Sequence, residues 1–77
     1  MYIVIEIQTN VDNTIGILTW SFANQNQAEE QFHRVLTTAA VSNLPKHAAC
    51  LVSEEGFPLR HECYTHVPAG SGEEAGE

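Results

Sequence analysis

His61-x-Cys63-x-x-His66, with Cys50 upstream, is the part of this chain whose residue types could do the most chemistry. Imidazole nitrogen and thiolate sulfur are zinc ligands, and four of them in a tetrahedral array make a closed structural site. If the segment is a strand, His61 and Cys63 share one face and His66 points to the other, so the spacing unites two of its three ligands. It also lacks the paired C-x-x-C or H-x-x-x-H spacing of specific zinc motifs. The expectation is therefore the ordinary one: Cys50 and Cys63 are small core residues, His61 sits at the sheet margin, and there is no metal and no cofactor. A Cys50–Cys63 disulfide fits some registers of adjacent strands, but a reducing cytosol would not keep it.

Catalytic arrangements are poorly supplied. An activated nucleophile needs a base within hydrogen-bond reach and a third group to orient it, yet Asp12 is the sole aspartate and falls in a turn. Glu29 and Glu30 are adjacent on a helical segment and point about 100° apart, which is no general acid/base pair. The glycines stand away from any strand-to-helix junction that could cradle a phosphate. The chain reads as a non-enzyme.

The elements that position these residues follow from periodicity. Met1–Gln8 and Thr14–Phe22 alternate as strands around Asn10-Val11-Asp12-Asn13, a stretch of turn-tolerant residues. Asn24 is a good N-cap, with Gln27 able to complete a capping box, for a helix over about 25–39. Ala28, Phe32, Val35, Leu36 and Ala39 fall on one face of it. Asn43-Leu44-Pro45 ends the helix. A second hairpin joins His47–Ser53 to Phe57–His66. Glu54-Glu55-Gly56 suits a type I turn with Gly56 in the left-handed region, which sets Leu51 opposite Leu59 and Ala49 opposite His61. A two-residue Glu55-Gly56 turn would instead set Cys50 opposite His61 and Ala48 opposite Cys63; the first is preferred, since a two-residue turn wants Asn or Asp before the glycine. The fold class is α+β: a ββαββ two-layer sandwich, a four-stranded sheet with one helix on one face, in a single domain over residues 1–66. Residues 67–77 lack apolar periodicity and are expected to be a disordered acidic tail.

Composition bounds what such a module can do. Seventy-seven residues make one domain that buries about 60% of its unfolded surface, so stability is marginal without added cover. Ten acidic residues against Arg34, Lys46 and Arg60 give a net charge of -7, which argues against nucleic acid as a partner. No apolar run approaches the roughly 20 residues of a membrane span, and the N-terminus has no signal-peptide pattern. A cytoplasmic location is expected.

Both hairpins offer apolar residues on both strand faces, and a single helix can cover only one. Placing Ile3, Ile5, Ile7, Phe57 and Leu59 under the helix leaves Tyr2, Val4, Arg60 and Tyr64 on the open face, joined either by Leu18 and Trp20 or by Ile15 and Ile17. Aromatic side chains with an arginine are the types that carry interface energy, so Tyr2, Val4, Trp20, Arg60 and Tyr64 are the candidate binding or interface residues. The same aromatics could stack on a nucleotide base with Arg60 as a phosphate or cation-π partner. The weak metal candidates remain His61, Cys63 and His66.

The runs MYIVIEIQTN, VLTTAAVS and EEGFPLRHECYTH resemble small uncharacterised proteins of phages and prophages of gut clostridia, over most of residues 1–66. The resemblance implies a phage setting and transfers no site residue. In that setting the expected function is a non-enzymatic accessory protein, a homo-oligomeric binding module whose partners are its own copies and a host protein or small nucleotide, as in counter-defence in the host bacterial cytoplasm. The alternatives are a structural virion or assembly component and a small metal-binding protein.

Overall fold

Asn10 through Thr14 close the first hairpin with a three-residue loop. Asn13 N–H donates to Asn10 O and Asn10 N–H to Thr14 O, both at 2.9 Å. Asn13 takes φ 69°, a left-handed conformation that asparagine tolerates better than most residues. Asp12 Oδ1 accepts from Thr14 N at 3.1 Å and Thr14 Oγ1 at 2.7 Å. These bonds, the hydroxyl first, hold its carboxyl below the usual carboxylate range. Asp12 is thus a turn residue, as its position implies.

The computed structural model describes residues 1–66; the tail expected over 67–77 lies outside these described residues. The elements are β1 (Tyr2–Thr9), β2 (Ile15–Phe22), α1 (Gln25–Ala40), β3 (Lys46–Ser53) and β4 (Pro58–Thr65). Asn24 caps α1 as expected, its Oδ1 accepting from Asn26 N at 2.7 Å and Gln27 N at 3.2 Å. The strands form one antiparallel sheet in the order β2-β1-β3-β4. Because β2 and β3 are both antiparallel to β1, they run parallel to each other, and α1 is the crossover between them. One open sheet and one helix make the α+β two-layer ββαββ arrangement.

Ala28, Phe32 and Val35 of α1 close the core against Val4, Ala49 and Leu51, with Tyr2, Trp20, Phe22 and Leu36 packed around it. The helix face is the expected one. The sheet face is not. Val4 is fully buried under the helix, and Ile3, Ile5 and Ile7 lie on the uncovered side. The sequence misleads here because Glu6 alternates with the isoleucines and reads as a solvent-side residue. In the fold Glu6 is buried, and His47 from β3 makes that tolerable by hydrogen-bonding its Oε2 through Nε2. Gln8 Nε2 donates to the same oxygen at 2.9 Å.

β4 is also turned over, for a different reason. Its hairpin has the expected loop: Gly56 N–H donates to Ser53 O at 2.8 Å, Ser53 N–H to Phe57 O at 2.9 Å, and Gly56 has φ 87°. Val52 pairs with Pro58, but Leu51 pairs with Arg60, so Leu59 is bulged out of the ladder. Proline has no N–H for a regular ladder and is tolerated at bulges and edges. The extra residue shifts all that follows by one, leaving Cys50 opposite His61 and Ala48 opposite Cys63. A one-residue slip exchanges the faces of every later side chain. Arg60 and Tyr64 therefore stand on the helix side. Leu59 and Phe57 are exposed instead of lying beneath the helix.

Candidate interaction surface

The five residues expected on the open face are all on the covered one. Val4 is core; Tyr2 and Trp20 pack against the core edge. Arg60 Nη2 reaches Glu29 Oε1 of α1 at 3.0 Å, tying β4 to the helix. That hydrogen bond holds the Glu29 carboxyl below the usual glutamate range. Tyr64 is half-buried and stacks on His66, with ring centroids 6.4 Å apart and planes 8° from parallel. Of the side chains expected to stack on a nucleotide base, Tyr2 and Trp20 pack against the helix-side core, Tyr64 stacks on His66 and Arg60 is paired with Glu29.

Alternation fixes what lies on the open face. β1 contributes Ile3, Ile5 and Ile7; β2, directly opposite Thr9, Ile7, Ile5 and Ile3, contributes Ile15, Ile17, Thr19 and Ser21. β3 brings Ala48, Cys50 and Val52, and β4 brings His61 and Cys63. The isoleucines of β1 are half-buried by their strand neighbours, whereas Ile15 and Ile17 on the edge are 55% and 61% exposed. No other described element lies over this face.

The face also carries none of the described carboxylates. Among the described acids, Glu6 and Glu62 stand on the helix side, Glu29 and Glu30 on α1, and Asp12, Glu54 and Glu55 in the hairpin loops. Lys46 and His61 are its basic groups. The described acids thus all stand off this one surface.

The metal-ligand candidates divide. His61 and Cys63 do share a face, as parity requires, and Cys50 joins them from the neighbouring strand. His66 goes to the other side, where its Nε2 donates to Ala39 O at 2.9 Å and its backbone N–H to Pro45 O at 2.9 Å. It closes the end of the sheet against α1. Both cysteines are free thiols, Cys50 half-buried and Cys63 exposed. Among the described residues no group of three His, Cys, Asp or Glu is placed to hold a metal ion.

Sequence reasoning missed the Glu6–His47 pair and the role of the isoleucines. Pro58 was the available signal for the bulge, since a proline at a strand start disfavours a regular ladder. No described helix is long and apolar enough to cross a membrane. The chain matches no protein-family model, no curated protein and no solved structure.

Proposed function

We propose that this chain is a non-enzymatic binding module that docks a protein partner on the open face of its sheet. The observation that supports this is the contiguous isoleucine surface of β1 and β2, continued by Ala48, Cys50 and Val52, with none of the described carboxylates on it. Four strands of eight residues, at about 4.8 Å between strands and about 3.3 Å per residue, span about 500 Å². The isoleucines with Ala48, Cys50 and Val52 occupy part of that area, and the largest contiguous apolar patch on a small domain is often functional. The fit is to a protein surface with its own apolar side chains, because the face is flat and offers few polar groups for a small ligand to satisfy. In the phage setting that the sequence resembles, the partner would be a host protein; in the assembly alternative, another phage protein on the same face.

The test is calorimetry of a recovered partner against purified variants. Ile5→Lys and Cys63→Glu charge the open face, and Arg60→Glu is the control on the covered face. The face variants are expected to keep the parent's circular dichroism and bind about tenfold more weakly or worse. Arg60→Glu is expected to bind as the parent does. Unchanged affinity for folded Ile5→Lys and Cys63→Glu would remove the open face from the function.

A further inference from the structure

β2 and β4 are the two edges of the sheet, and they are built differently. Edge strands expose unpaired N–H and C=O groups, which proteins protect with proline, bulges and charge. β4 has all three: Pro58, the bulge at Leu59, and Arg60 and Glu62. β2 has none. Its eight residues, IGILTWSF, contain no charged residue and no proline, pair with β1 without a break, and expose Ile15, Ile17 and Leu18.

Its outward hydrogen-bonding groups can be assigned. Asn10 N–H donates to Thr14 O, so Thr14 directs its carbonyl toward β1, while its N–H is taken by Asp12 Oδ1. Along an antiparallel ladder this alternates. Gly16, Leu18, Trp20 and Phe22 therefore also bond inward, and Ile15, Ile17, Thr19 and Ser21 present N–H and C=O to the outside.

We propose that β2 pairs antiparallel with β2 of a second copy of this chain, about a twofold axis that passes by Leu18. A twofold perpendicular to the sheet pairs each residue with one on the same face, and outward groups must meet outward groups. Centring on Leu18 sets Ile17 against the partner's Thr19 and Ile15 against the partner's Ser21, so every outward group of the strand is bonded. Moving the centre by one residue in either direction leaves outward groups unpaired. On the helix side, Leu18 meets its own copy and Trp20 lies across from the partner's Gly16, where the absent side chain leaves room for the indole. The exposure of Leu18, 49% in the single chain, is thereby accounted for. Absence of charge along β2 matters because two chains of net charge -7 repel elsewhere.

The product is one eight-stranded sheet with both helices on one side and both isoleucine faces on the other. The open face doubles to about 1,000 Å² of flat sheet area, one continuous surface shared by the two copies. The pairing goes beyond the docking role and stands or falls without it.

Sedimentation of the full chain at micromolar concentration is expected to give twice the 8.5 kDa of one chain. Thr19→Pro removes an outward N–H and no β1–β2 bond, so circular dichroism should persist while dimer dissociation rises about tenfold or more. Leu18→Cys, in a background with Cys50→Ser and Cys63→Ser, supplies a readout that does not depend on that proline. Opposed residues at a non-hydrogen-bonded pair lie about 4.5 Å apart between Cα atoms, within disulfide range, so mild oxidation should yield a covalent dimer. Thr65→Cys on the β4 edge, in the same background, should not. A monomeric parent, a Thr19→Pro protein as dimeric as the parent, or equal cross-linking through Thr65→Cys would each overturn the pairing. None of these outcomes bears on whether a foreign protein docks on the open face.

Discussion

Glu6 and His47 are the residues whose placement costs this small fold most. Each is nearly inaccessible, and together with Gln8 they form a polar group between the sheet and α1, in which His47 Nδ1 has no hydrogen-bond partner among the described residues. Removing one member of a buried pair leaves the other desolvated without compensation. His47→Leu is therefore expected to destabilise the protein by about 3–5 kcal/mol, and Glu6→Leu combined with His47→Leu to recover most of that loss. Urea melts of the two variants check this. A single variant as stable as the parent would mean that the pair is dispensable. Phe32, 3% exposed at the centre of the helix contact, should cost about 3–5 kcal/mol on replacement by alanine, and the less buried Leu36 less than that.

At the scale of elements, α1 is held to the sheet unequally. Its apolar face packs over the central strands β1 and β3, and β4 is tied to it by Arg60–Glu29 and by His66 on Ala39. Glu29 has a lowered pKa in the folded protein, so the unfolded chain takes up its proton first as the pH falls. The stabilisation is present above the ordinary glutamate pKa and is lost as the pH drops through the lowered folded value. Arg60→Gln should melt at slightly lower temperature than the parent at neutral pH. It should converge with the parent on acidification below the glutamate range, because the tie is then broken in both. Melting temperatures that differ by the same amount at every pH would assign the effect to packing of the Arg60 stem.

For the whole molecule, size and charge act against each other. A chain this short has little surface to bury, and the open face leaves part of its apolar area uncovered. Self-association through β2 adds stability by mass action, so the melting temperature should rise with protein concentration. Repulsion between chains of net charge -7 is screened by salt. The dimer should tighten when ionic strength rises from about 0.01 M to about 0.15 M, as read by sedimentation. Weakening with salt would point to an interface built from ion pairs. Deleting residues 68–77 should leave melting temperature and solution mass unchanged; a large loss on deletion would make those residues part of the cover for the sheet.

What the sequence determined by itself is local. The cap at Asn24, the buried stripe of α1, the two strand pairs and the left-handed Gly56 all follow from neighbouring residues and the periods of helix and strand. The choice of sheet face was decided by tertiary structure. Ile3, Ile5 and Ile7 form a better apolar row than Tyr2, Val4, Glu6 and Gln8, and the latter goes inside because a histidine 41 residues away satisfies Glu6. The faces of Arg60, Tyr64, His61 and Cys63 depend on one bulged residue, Leu59. A strand's period is two, so a single inserted residue or a single distant hydrogen bond exchanges its inside for its outside without altering the pattern that a reader of the sequence sees.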